Sequence, residues 1–221
     1  MCIATRYHKF KDDLNMLILK EKIRYPEKND KFFVDKGNPD EIAWLHKTFQ
    51  EFGSYADSYQ TGALTLIDTA LTNRELRDYN VYPAVFLIRH YLELRLKELI
   101  QGLNYCKEQN KNFPTHHDLQ NLWSDFKKAY SAIGENSNDK RFKIINNLIK
   151  EMTTIDPISM SFRYPVDKQG LLTQKLDCVN LINLRETFVR VCFVFDGVAM
   201  QISGYVEITE DLMREVYENY W

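Results

Sequence analysis

The sequence predicts an all-α protein, an up-and-down helical bundle. Apolar residues recur at steps of three and four along six or seven segments of roughly 15 to 25 residues. Glycine (8) and proline (6) are scarce in 221 residues, while Leu, Ile, Lys and Glu are plentiful. That composition favours helices over a turn-rich sheet protein. Residues that cap or stop helices stand between the periodic segments. A hydrophobic share of 44% and a charged share of 27% are ordinary for a soluble globular chain with one sizeable core.

Residues 1–37 are the least regular and read as an N-terminal appendage. Leu14, Leu17 and Ile18 can line one helical face there, and Phe32, Phe33 and Val34 form a short strand or docking anchor. The bundle, residues 38–221, opens at Asn38-Pro39. Asn suits the N-cap, Pro the first helical position, and Asp40 and Glu41 the positive end of the dipole. Ile42, Leu45, Phe49 and Phe52 continue that first helix to Gly53. Ser54 caps a second, with Tyr59, Ala63, Ile67 and Ala70 in its stripe. The polar segment 73–80 turns the chain, and Pro83 opens a third helix. After the loop 102–114, Thr115 and Asp118 resemble a capping box for a helix with Leu119, Leu122, Trp123, Phe126 and Tyr130 on one face. A helix over 139–154 follows, stopped by Asp156-Pro157. The loop 156–170 precedes a long apolar segment over 177–203. Within it, residues 191–195 suit either a helix or a strand, length favouring the helix. Gly204 breaks the segment and Thr209 caps a last helix.

The bulk numbers exclude several classes. A formal net charge of −2 gives no global nucleic-acid-binding signature, although a local basic patch stays compatible with it. The first twenty residues carry charges throughout, unlike a secretory leader. No uncharged apolar run approaches the roughly 18 residues of a membrane span, so no membrane partner is expected. The four cysteines form no CxxC pair and lack histidines at zinc-finger spacing, which reads as free thiols in a reducing cytoplasm. HExxH, GxSxG, P-loop and GxGxxG patterns are all absent, so no metal and no cofactor are expected.

The best lead to chemistry is the third helix, YPAVFLIRHYLELRLKELI over 82–100. At about 100° per residue, Arg89, His90, Glu93 and Lys97 share one arc roughly 100° wide. Val85, Ile88, Leu92, Leu96 and Leu99 form an apolar arc and Leu87 and Leu94 a second, with Arg95 and Glu98 read as solvated. Two readings stay open. Arg89–Glu93 and Glu93–Lys97 can be plain i,i+4 pairs worth about 0.2–0.5 kcal/mol each on an exposed face. Alternatively, with two apolar faces on one helix, the polar arc floors a cleft. His116 and His117 stand at a helix entry, where free N–H groups attract anions, or are exposed neighbours of a cap. Arg163 and Tyr164 place a phosphate fork beside an aromatic ring, or pack the loop with Arg163 paired to Asp156 or Asp167. Asp196 requires a cation such as Arg89 or Lys97 if buried, or lies exposed at a helix end.

The form apolar-apolar-Arg-His-x-x-Glu-x-x-x-Lys over 87–97, followed by His117-Asp118-Leu119 and Leu122, resembles the HEPN superfamily of helical bundles over about residues 54–200. The resemblance implies an RNA- or nucleotide-directed module of bacterial defence or toxin–antitoxin biology, including metal-independent ribonucleases and non-catalytic partners of nucleotidyltransferases. It implies a cytoplasmic homodimer with a nucleotidyltransferase or an antitoxin as partner. No Arg in this chain has a His after four to six intervening residues, which departs from that family's catalytic signature. The residues then expected to act are Arg89, His90, Glu93 and His117 in catalysis, and Lys97, His116, Arg163 and Tyr164 at a phosphate or nucleotide. His117→Ala and Arg89→Ala are both expected to spare the fold. A non-catalytic module that binds a protein or nucleotide through the same cleft is the alternative.

Overall fold

A computed structural model describes residues 25–45, 51–108 and 110–220. The chain divides into two compact units, Met1–Leu45 and His46–Trp221. In the first, Asn38 caps as expected, its side chain accepting from Asp40 N at 3.3 Å. The helix it starts is a single 3-10 turn, Pro39–Glu41, and Ile42 is already extended. No α-helix forms over residues 38–45 of the predicted helix 38–53, Phe52 and Gly53 open the next helix, and residues 46–50 lie outside the described residues, as do Leu14, Leu17 and Ile18. Phe32, Phe33 and Val34 form no strand.

Among its described residues the second unit is an all-α bundle of five helices, α1 (Phe52–Thr72), α2 (Arg77–Glu108), α3 (Leu119–Ala132), α4 (Lys140–Ile155) and α5 (Leu181–Tyr220). No strand occurs among the described residues; one isolated bridge joins Val166 and Leu172 in the loop before α5. The 191–195 segment is helical. Helix α2 is the hub, packing on α1, α3 and α5, while α3 carries α4. Its centrality follows from its two apolar arcs: every residue from Tyr91 to Lys97 is buried. Trp123, Phe126, Phe142 and Phe195 meet in edge and stacked contacts at 5.3–6.3 Å between α3, α4 and α5. Such aromatic pairs add about 0.5–1.5 kcal/mol each beyond burial.

Several boundaries differ from the sequence expectation for identifiable reasons. Ser54 lies inside α1, whose cap position is Glu51. The segment 73–80 is not a plain turn. Asn73 caps a short 3-10 helix, Arg74–Leu76, and α2 starts at Arg77 with Pro83 inside it. Its polar residues are spent on the end of α1: Arg77 Nε donates to Ala70 O at 3.2 Å and Asn80 Nδ2 to Leu66 O at 3.1 Å. Asp118, not Thr115, caps α3, accepting from Asn121 N at 2.7 Å. Helix α5 starts at Leu181 rather than near 177. It runs through Gly204, because one interior glycine costs only about 1 kcal/mol. Thr209 there bonds back to Tyr205 O at 2.8 Å instead of capping a new helix. Leu181–Glu218 has a window of mean hydropathy 1.3, long and apolar enough to cross a membrane by length and composition, with part of that window buried against the bundle.

Candidate functional site

The polar arc of α2 is buried rather than solvated. Arg89, Glu93 and Lys97 are 1%, 4% and 5% exposed. Glu93 is the centre. Its Oε1 accepts from Lys97 Nζ at 3.0 Å and from His117 Nδ1 at 2.6 Å, and its Oε2 lies 3.8 Å from Arg89 Nη1. Burial by itself would raise the Glu93 carboxyl, but the bonds from His117 and Lys97 outweigh it and hold the group below its ordinary value. An ionised carboxylate only accepts, so Nδ1 of His117 carries the proton. Nε2 is the ring nitrogen that Glu93 does not engage, on a side chain that is 76% exposed.

Arg89 is committed inward. Its Nε donates to Asp156 O at 3.3 Å and lies 3.7 Å from Asp156 Oδ2, while Nη2 donates to His117 O at 3.5 Å. It thereby ties α2 to the start of α3 and the end of α4. Burial lowers its pKa, against the pull of Asp156 and Glu93. Asp156 in turn accepts from Met160 N at 2.7 Å and Ser161 N at 3.0 Å, which shapes the loop that carries Arg163. Ser159 in that loop sits at φ 60°, the left-handed region that costs a serine about 1–2 kcal/mol.

Arg163 is exposed. Its Nε donates to Ser159 O at 2.5 Å, and its guanidinium lies over Phe86 at 5.3 Å and Tyr164 at 5.8 Å. The expected pairing with Asp156 or Asp167 does not form: Asp156 faces Arg89, and Asp167 accepts from Gln169 N and Leu171 N. Phe86 also stacks on His90 at 5.9 Å, and Tyr59 meets the same imidazole edge-on at 4.4 Å. Burial pushes His90 below its ordinary pKa, so it stays neutral among rings. His116 turns to α3, its Nε2 3.2 Å from Asp125 Oδ2.

The structure thus joins Arg89, Glu93, Lys97 and His117 in one contact network. It strings His90, Phe86, Arg163 and Tyr164 along a second, and leaves His116 apart. Phe86, Tyr59 and Asp156 were not read as site residues, although Phe86 stands one turn before His90. Of the cavities among the described residues, one of about 480 Å³ opens beside Phe113, Pro114 and Asp125, next to the His116 contact, and two others open elsewhere. One of about 340 Å³ lies between α2, α4 and α5 beside Val85, Ile149 and Phe188, and one of about 520 Å³ beside Asp78 and Asn180. His117 and Arg163 are each exposed.

Arg95, expected in solvent, is 4% exposed and holds a second network. It bonds Asp57, bonds Glu98 at 2.6 Å and lies 3.5 Å from Asp196, which is half exposed. Asp196 therefore pairs with Arg95, not with Arg89 or Lys97. Burial raises the carboxyls of both Glu98 and Asp196 despite Arg95. Compared with known proteins, the chain matches no family model, no curated protein and no solved structure.

Proposed function

We propose that this protein is a HEPN-like module directed at RNA or a nucleotide, acting as a metal-independent endoribonuclease. The observation that carries the reading is the exposed His117 imidazole, oriented by a buried and ionised Glu93 at 2.6 Å. A solvent-facing base held in one tautomer by a carboxylate is the arrangement general acid–base catalysis uses. Nε2 of His117 takes the proton of a ribose 2′-hydroxyl and the 2′-oxygen attacks the adjacent phosphorus. The P–O5′ bond breaks, and the imidazolium returns its proton to the departing 5′-oxygen. The products are a 2′,3′-cyclic phosphate and a 5′-hydroxyl. Arg163, with the faces of Phe86 and Tyr164 beside it, supports phosphate and base contact. Lys97 and Arg89 act from below by holding Glu93. Defence or toxin–antitoxin biology in the cytoplasm, with a nucleotidyltransferase or an antitoxin as partner, belongs to the same reading.

A second reading, a non-catalytic module that binds a partner protein or a nucleotide, is favoured by a specific observation. The guanidinium of Arg89 is spent on backbone carbonyls and carboxylates, and the spaced Arg–His pair is missing. The test is incubation of the full chain with a mixed RNA pool in excess chelator. Fragments with cyclic phosphate ends support the enzyme. An intact pool removes it, and a rise in melting temperature on adding nucleotides then supports the binding module.

A further inference from the structure

Helix α4 packs on α3 and stands off from α2 and α5. Its Ile145 and Ile149 face Ile88 and Leu92 of α2 and Phe188 and Val191 of α5 across a cavity of about 340 Å³. All six side chains are buried. Protein interiors are close-packed, and a void this large forfeits contacts that its lining would otherwise make. Its size and its lining are those of a small-molecule site: mostly apolar walls with a few polar groups. Here the polar groups are Asn183 and Thr187, one turn apart on α5, with Asn180 just before that helix and Glu151 on α4. No lysine, arginine or histidine lines the cavity among the described residues. The cover is light. Leu176, Cys178, Val179 and Asn180 wall both this cavity and the neighbouring space of about 520 Å³, so a single layer of chain divides the two. Among the described residues, 176–180 make no hydrogen bond to α2 or α4. Leu176 N donates to Gln174 Oε1 at 2.9 Å, and Asn180 Oδ1 accepts from Asn183 N at 3.0 Å.

We infer that this cavity binds a small aliphatic molecule with an uncharged hydrogen-bonding head, a hydroxyl or an amide. The branched aliphatic walls from three helices take the chain, and its burial supplies the affinity. At about 30 Å³ per heavy atom, as in a liquid, the space takes about eleven, a chain of about ten carbons with its head atom. Asn183 and Thr187 both donate and accept, so either head finds a partner between them. A carboxylate or phosphate head finds none. The lining offers no cation to pair with it, and Glu151 adds a like charge. Segment 176–180 lets the molecule in, because it can lift without breaking a bond to α2 or α4. None of these residues belongs to the His117 network, so the inference stands whether or not that imidazole cuts RNA.

The experiment is calorimetric titration of the full chain with 1-decanol, and with decanoate at neutral pH. Decanol should bind one molecule per chain with a Kd on the order of 10 µM. At about ten times that concentration it should raise the melting temperature by about 3–5 °C. Decanoate should bind at least tenfold more weakly. Leu148→Trp, half-buried on the wall of α4 and growing into open space, should keep the fold and lose decanol at least tenfold. A measurement on the wild type serves if that variant does not fold. Decanol should slow alkylation of Cys178, at the rim, at least threefold, and leave that of Cys106 unchanged, both followed by peptide mass spectrometry. Phe193→Glu, on the exposed face of α5, should bind decanol like wild type. No binding of decanol overturns the inference, as does a folded Leu148→Trp that binds it equally well or a Cys178 that reacts at the same rate. Loss of binding in Phe193→Glu assigns decanol to the open face of α5 and overturns it too. Decanoate binding as tightly as decanol overturns the uncharged head.

Discussion

The carboxylate of Glu93 and the imidazole of His117 meet at 2.6 Å, the first 4% exposed and the second open to solvent. This asymmetry separates what each residue holds up. Glu93→Ala leaves Arg89 and Lys97 buried without their shared anion and should cost about 3–5 kcal/mol. His117→Ala removes an exposed partner and should cost less than about 1 kcal/mol. Urea denaturation of the two variants checks the contrast; equal losses would mean that Glu93 is not a buried hub.

Arg89 and Arg163 divide in the same way. Arg89 ties α2 to residues 117 and 156, so Arg89→Ala should cost about 3–5 kcal/mol. The sequence expectation that this variant spares the fold is thereby revised. Arg163→Ala, on an exposed loop, should stay within about 0.5 kcal/mol of wild type. Its loss should appear in RNA or nucleotide affinity, read by filter binding.

Acid stability reports on Glu93. Burial acts to raise its carboxyl and the bonds from His117 and Lys97 outweigh that, so the native group sits below its ordinary value of 4.5. A carboxyl lowered on folding contributes stability that is present above the unfolded value and lost as the pH falls through the folded one. Denaturation midpoints followed downward from neutral pH should therefore drop below about 4.5 in wild type. The drop should be shallower in Glu93→Gln, and identical acid limbs would count against the network. Asp196 has the opposite sign. Burial raises its carboxyl, so its contribution is present below the unfolded value and lost as the pH rises through the folded one. Asp196→Asn should accordingly lose less stability than wild type over that rise.

Close approach of α2 and α5 rests on Gly102. A Cβ there would come within 2.6 Å of Ile202 Cγ2. Gly102→Ala gains about 1 kcal/mol of helix propensity, yet the overpacking costs about 1–3 kcal/mol. A lower melting temperature is expected, and a higher one would mean that the two helices have room to part.

Periodicity located the helices because each buries at least one apolar stripe, two in α2, and that signal is strong wherever the stripe is long. It failed at the ends. Residues 73–80 look like a turn by composition, but their polarity serves the carbonyls of α1, a partner no local pattern reveals. Gly204 and Thr209 look like a break and a cap, but continued packing of α5 overrides a single glycine. The arc of Arg89, Glu93 and Lys97 was legible as ionisable groups on a helix with two apolar faces. That Arg95 is buried among Asp57, Glu98 and Asp196 was not legible, since those residues come from three helices. The contact of His117 with Glu93 joins residues 24 apart, which spacing alone does not fix.

The decisive measurement is the rate at which wild type and His117→Ala cut a defined single-stranded RNA in excess chelator, with the 3′ ends identified. Wild type should produce 2′,3′-cyclic phosphate ends, and His117→Ala, folded to the same melting temperature, should be slower by at least about 100-fold. RNA left whole by wild type, or cut equally fast by His117→Ala, would show that the Glu93–His117 pair is a fastening of the bundle and not a catalytic base.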